Sequence, residues 1–180
     1  MHKIIAIVGM CGSGKSELTK FFLEDGYQNI HFGDVTMNIM KERGMEVCEA
    51  NERIVREEVR GQYGLGAYAI LLLPEILKKA SETPLVLDGL YSWSELKYLR
   101  EKLGDEVSVL AVIASRSTRK KRLATREIRP LTSLETDLRD TAEIENLEKG
   151  GPIAAADYYI VNEGDLEALK ASYEALKKVL

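Results

Sequence analysis

Cysteine, histidine and tryptophan are scarce in this 180-residue chain: two, two and one residues respectively. Cys11 and Cys48 lie far apart, without partners at metal-ligand spacing, which excludes a disulfide framework and disfavours a zinc site. His2 and His31 accompany no paired nucleophile, so no Ser/His or Cys/His catalytic arrangement emerges. Long hydrophobic runs are missing too. The longest, Ala67 to Leu73, is too short to span a bilayer, and the N-terminal segment lacks the basic, apolar, small-residue order of a signal peptide. Neither sign of charge dominates: 25 Lys and Arg face 29 Asp and Glu, a net charge of −4. No global positive field would then draw the chain to nucleic acid or anionic lipid. With four prolines, no repeat and no low-complexity tract, the sequence fits one domain. A soluble cytoplasmic protein with small-molecule partners is expected, binding neither nucleic acid nor membrane.

Against these absences one motif stands out. Residues Gly9 to Ser16 read GMCGSGKS and directly follow the apolar run Lys3 to Val8. Buried strand, glycine-rich turn and helix start are the context a phosphate-binding P-loop requires. Gly9, Gly12 and Gly14 let backbone N–H groups turn inward around phosphate oxygens, the new helix adds its positive end, and Lys15 reaches the outer phosphates. Ser16 offers its hydroxyl to Mg²⁺. The expected nucleotide-binding set is Gly9, Cys11, Gly12, Ser13, Gly14, Lys15 and Ser16, with ATP and Mg²⁺ as cofactors. Cys11 fits as a loop filler.

Short β-rich runs at Lys3–Val8, Ile30–Phe32, Pro84–Leu87, Val107–Ala114 and Tyr158–Val161 alternate with amphipathic stretches. Alternation of this kind predicts an α/β fold with a parallel sheet covered by helices. Helices are expected at Ser13–Leu23, Val35–Arg43, Ala50–Gly61, Gly66–Ala80 and Ser92–Leu103, the last opened by a Ser92/Glu95 capping box. Further helices are expected at Ser117–Arg126, Ser133–Lys149 and Asp165–Val179, with Gly150-Gly151-Pro152 closing the second of these.

Phosphoryl transfer also needs a metal, cations that spread transition-state charge, and a group that orients the acceptor. Asp88 falls at the tip of the third strand, where open α/β sheets bind ligands, and can share Mg²⁺ with Ser16. Asp34 follows the second strand and suits either a helix N-cap or an acceptor-orienting base. Seven cations fall between Arg116 and Arg129 against the single acid Glu127. At about 100° per residue, Arg119, Arg122, Arg126 and Arg129 would share one helical face, which suits either a solvated basic helix or a lid over polyphosphate. Arg139 could close over the same charge. Tyr91 and Trp93 read as core aromatics.

Together these residues resemble the P-loop nucleoside-monophosphate kinase group, which includes adenylate kinase and dephospho-coenzyme A kinase. GMCGSGKS is similar to their phosphate loop, Phe32-Gly33-Asp34 to the Gly-Asp that opens their substrate-binding helices, and Leu87-Asp88-Gly89 to their third-strand signature. Arg122 to Arg126 is similar to the arginines flanking a short lid. The run from Ala156 through Asn162 looks most like dephospho-coenzyme A kinase, where this segment passes beside the adenine. The resemblance implies a three-layer αβα fold with a five-stranded parallel sheet, a helical substrate-binding insert over 35–80 and a lid over 116–139. It also implies ATP-dependent phosphoryl transfer to a small-molecule acceptor, nucleotide or coenzyme A precursor-like. Catalytic roles would then fall to Lys15, Asp34, Asp88, Arg126, Arg129 and Arg139, and Arg122 and Asn162 would join the nucleotide site. Two departures bear on the acceptor. Met37 and Tyr91 stand where adenylate kinases carry arginines that grip the acceptor phosphate, and neither side chain replaces a guanidinium. That pattern argues against plain AMP and leaves a second reading, an ATP-binding regulatory module or an ATPase without acceptor.

Overall fold

A computed structural model describes residues 2–127 and 129–180. Its strands are β1 (Ile4–Val8), β2 (Gln28–His31), β3 (Leu85–Asp88), β4 (Val107–Ile113) and β5 (Tyr158–Val161). They form one parallel sheet in the order β2-β3-β1-β4-β5. β1, the Ile-Ile-Ala-Ile-Val run, is central and buried along its whole length. Both its faces are covered, which is why it is apolar without alternation.

Alternate residues nevertheless serve different layers. Ile4, Ala6 and Val8 join Leu85, Leu87, Val109 and Ala111 under one helical layer. That layer comprises α2 (Asp34–Glu42), α3 (Glu49–Tyr63), α4 (Ala67–Glu82), α5 (Trp93–Leu103) and the short α8 (Gly150–Ala154). Ile5 and Ile7 join Val86, Leu110, Val112 and Ile160 under α1 (Lys15–Glu24) and α9 (Leu166–Lys177). Phe21, Phe22, Tyr27 and Tyr173 pack there in tilted and edge-on contacts. The remaining helices, α6 (Arg116–Ala124) and α7 (Ser133–Glu145), follow β4 at the carboxyl ends of the strands. No helix among the described residues is long and apolar enough to cross a membrane.

The three-layer αβα architecture expected from the sequence is present, with local corrections. α6 stops at Ala124, capped by Thr125, so Arg126 and Arg129 lie beyond it and do not share a helical face with Arg119 and Arg122. Pro130 disfavours helix at the residue before it, which fits the early stop. α7 ends at Glu145 and does not run to Lys149. Gly150-Gly151-Pro152 opens α8 and does not merely close α7; a proline in the first turn of a helix sacrifices no internal hydrogen bond. Asp34 is the first residue of α2, whose N-cap is Gly33, so Asp34 is not the cap.

Candidate functional site

The turn after β1 makes a cradle that only glycine permits. Gly9, Gly12 and Gly14 have φ of 148°, 80° and 104°. At Gly14, the N-cap of α1, a Cβ would also collide with the Asn162 amide. That amide Nδ2 donates to the Ser13 carbonyl at 2.8 Å, clasping the loop from the end of β5. The Ser13 hydroxyl is buried without a hydrogen-bond partner among the described residues. An orphaned buried hydroxyl inside a glycine-built loop at a helix N-terminus fits a phosphate ligand.

Lys15 Nζ donates to the Met10 carbonyl at 3.1 Å, so the ammonium lies back across the loop. Burial, then the neighbouring charge of Lys149, pull its pKa down to about 8; an anion between the two would reverse that pull. Ser16 is exposed at the first turn of α1. Asp88 ends β3, pairing in register with Ile7 of β1 and His31 of β2. Burial alone would raise its pKa, but the hydrogen bond and charge of His31, together with Lys15, hold it below the usual carboxylate range. Asp88 is therefore ionised, and its carboxylate and the exposed Ser16 hydroxyl are oxygen donors of the kind Mg²⁺ takes. No cluster of three His, Cys, Asp or Glu side chains suited to metal occurs among the described residues. Protein and nucleotide oxygens would have to share the ion.

A cavity of about 960 Å³ opens at the carboxyl end of β2, and the charge of its Glu143 reaches Lys15 in the loop. It is lined by His31, Phe32, Gly33, Thr36 and Met37, by Arg56, Arg60 and Tyr68, by Tyr91, Arg139 and Glu143, and by Arg126 and Arg129 from the segment after α6. His31, which has no paired nucleophile in the sequence, lines the cavity, with Nδ1 3.4 Å from Asp88. Its ring lies over Gly33, where a Cβ would meet Nε2 at 2.7 Å, so glycine at 33 makes room for it. The Asp88 hydrogen bond raises the His31 pKa. Tyr91 likewise lines the cavity and is not simply a core aromatic. Burial pushes its hydroxyl up to about 12, so it stays neutral. Trp93 does pack against the core and over Gly151.

The sequence-predicted arginines divide into two groups. Arg122 is committed to the end of the sheet, donating to the Asn162 carbonyl at 3.0 Å, the Asn162 Oδ1 at 3.3 Å and the Gly164 carbonyl at 2.7 Å. With Asn162 it braces the loop. Arg119 is bidentate to Asp140 at 2.9 and 2.6 Å and reaches the Cys11 carbonyl at 3.2 Å, tying α6, α7 and the loop together. Arg126, Arg129 and Arg139 instead line the cavity, and Arg129 bridges to Glu52 on α3 at 3.2 Å. Asp34 is exposed at the start of α2, after the cavity-lining Gly33, and near enough for its charge to be felt at His31. Sequence reasoning missed His31, Glu143 and Lys149; none sits at a motif spacing.

A glycine-built turn at the carboxyl end of a central parallel strand, with an ionised aspartate on the next strand, is the architecture of a P-loop domain. The chain belongs to the AAA domain family, whose model matches residues 5–143, and to the UPF0200 proteins. The UPF0200 protein of Sulfurisphaera tokodaii is 35% identical over 180 residues, covering 98% of this chain and 96% of its own. Among solved structures, a gluconokinase from Sinorhizobium meliloti superposes with a TM-score of 0.59 at 20% identity, over 98% of this chain and 93% of that one. A shikimate kinase from Bacteroides thetaiotaomicron gives 0.63 at 14% identity, over 98% and 97%. Both are similar in fold to this chain.

Proposed function

We propose that the protein is an ATP-dependent kinase that transfers a phosphoryl group to a small-molecule acceptor, nucleotide or coenzyme A precursor-like, in the cytoplasm. The observation that carries this reading is the cavity lined by His31, Tyr91, Arg139 and Glu143, whose His31 meets Asp88 at 3.4 Å and whose Glu143 is felt at Lys15 of the phosphate loop, because a binding module needs no second chamber there. In this reading the nucleotide's phosphates lie in the 9–16 loop under Lys15, and Ser16 and Asp88 hold Mg²⁺, which neutralises charge on the β- and γ-oxygens. Residues 35–80 wall the acceptor and residues 116–139 act as the lid. Arg126, Arg129 and Arg139 face the charge that develops in transfer, and lid closure excludes the water that would otherwise take the phosphoryl group.

The acceptor's own character follows from the wall. Arg56 is held by Glu49 and Glu52, whereas Arg60 lies over the Tyr68 ring at 5.1 Å with no carboxylate partner among the described residues. An unpaired guanidinium at that wall favours an acceptor that carries an anionic group. Asp34 stands where it could orient an acceptor hydroxyl.

The test is a panel: Mg-ATP with nucleoside monophosphates, dephospho-coenzyme A and single-stranded nucleic acid in turn, following ADP and phosphorylated product. Acceptor-dependent ADP with product is expected. ADP formed without any phosphorylated acceptor would instead support an ATPase or regulatory module, the reading that Met37 and Tyr91 favour.

A further inference from the structure

Glu143 and Lys149 form an ion pair of 2.7 Å with side chains only 6% and 2% exposed, and nothing assigned above uses either. As a stability device such a pair is poor, since taking both charges out of water costs about as much as their attraction returns. Their placement is more informative. Lys149 Nζ stands 4.3 Å over the Tyr91 ring, and Arg139 Nε donates to the other Glu143 oxygen at 3.1 Å. One carboxylate thus holds two cations. Tyr91, Arg139 and Glu143 all line the cavity, while the charges of Lys149 and Glu143 are both felt at Lys15 in the phosphate loop. The cluster therefore occupies the border between loop and cavity, where a phosphoryl group would pass from donor to acceptor. Three cations, Lys15, Lys149 and Arg139, converge there around Glu143, and desolvated cations held face to face call for an anion of greater charge.

We propose that Lys149, together with Arg139, grips the terminal phosphoryl group of a bound nucleoside triphosphate opposite Lys15, and that Glu143 is an internal stand-in which this phosphoryl group displaces. The inference rests on the kinase reading and adds to it a catalytic residue from the turn between α7 and α8. It also accounts for Tyr91. Where related kinases place a guanidinium on that residue, this chain seats an ammonium on its ring. In transfer, the bond from the γ-phosphorus to the β–γ bridging oxygen breaks, with its electrons leaving on ADP, and the acceptor oxygen forms the new bond. A hydroxyl acceptor's proton passes to a carboxylate or to solvent, while Lys149 stays charged and transfers none.

Titration calorimetry on the full chain, with the Mg²⁺ complexes of β,γ-imido ATP and of ADP, tests this without an acceptor. The wild type is expected to bind the triphosphate analogue more tightly than ADP. Lys149→Met is expected to lose about tenfold in triphosphate affinity with little change for ADP, the size of one charge-assisted hydrogen bond. Glu143→Gln is expected to gain severalfold for the triphosphate, because the competing charge is gone while the amide oxygen still accepts from Lys149. A purely structural pair predicts lowered melting temperatures and an unchanged ratio of the two affinities in both variants, and that result would overturn the proposal. Should Lys149→Met fail to fold, Glu143→Gln decides alone: an unchanged or weaker triphosphate preference overturns it. A wild type that binds both nucleotides equally ends this inference and leaves nucleotide binding intact; one that binds neither ends both.

Discussion

Lys15 is the residue on which phosphate chemistry at this site most depends, since the loop amides can hold a polyphosphate but supply no full positive charge. Lys15→Ala is expected to lower turnover by at least about 10²-fold in a coupled ADP assay, in line with loss of a transition-state charge contact. Asn162 acts on the same loop from behind. Asn162→Ala leaves the Ser13 carbonyl without its 2.8 Å donor and Arg122 without one of its acceptors. A cost of about 1–3 kcal/mol is expected in urea unfolding, together with weaker nucleotide binding as the loop loosens. At this scale the sequence was legible where chemistry follows a contiguous motif, as in Gly9 to Ser16 and at Asp88. His31 was not legible, because its partnership arises from the register of β2 on β3, which pairs it with Asp88 across 57 positions of sequence. The contact of Asn162 was not legible either: its buried amide turns to the loop backbone, which no local pattern encodes.

Helix α5 carries the main pH-sensitive group away from the site. Ser92 caps it and Glu95 returns the contact, its carboxylate accepting from the backbone N–H of Ser92 at 2.9 Å and of Tyr91 at 2.8 Å. Burial nonetheless raises the Glu95 pKa to about 7. Between pH 4.5 and 7 the folded chain thus keeps a proton that the unfolded chain has released, so stability falls as pH rises through that window. The loss is on the order of 2–3 kcal/mol, and Glu95→Gln should flatten the slope in urea titrations at pH 5 and 8. Asp25, Asp137 and Glu163, whose pKa values are lowered by their hydrogen bonds, act at the acid end and do not mask it. A second element-level device joins α6 to α7. Asp140→Ala strips the nearly buried Arg119 of both its carboxylate bonds and is expected to cost about 3–5 kcal/mol, read from the melting curve. The capping box of α5 was plain in the sequence. The ends of α6 and α7 were not, because charge periodicity continues past Ala124 while the backbone turns away before Pro130, and because Gly150-Gly151-Pro152 reads equally well as a helix stop or a helix start.

Across the whole molecule, the alternation of apolar and amphipathic runs was enough to place every strand, since a doubly covered sheet demands buried strands and helices long enough to cross over. What alternation could not give was the cavity, whose lining comes from segments as far apart as β2, α3, the stretch after α6, and α7. The Arg129–Glu52 bridge spans its mouth and is mostly exposed on the arginine side. Glu52→Gln should therefore leave the melting temperature nearly unchanged. It should also speed tryptic cleavage after the exposed Arg126, and Mg-ATP should slow that cleavage in both proteins if the lid closes over nucleotide.

The clasp between Asn162 and Ser13 has a consequence for how the chain matures. The phosphate loop lies within its first 16 residues, yet the amide that steadies it arrives 149 positions later. During synthesis the loop is made well before β5 and lacks its clasp until that strand follows. A nascent chain halted before β5 would carry every residue of the motif and still hold nucleotide poorly, so that competence to bind reports a finished sheet.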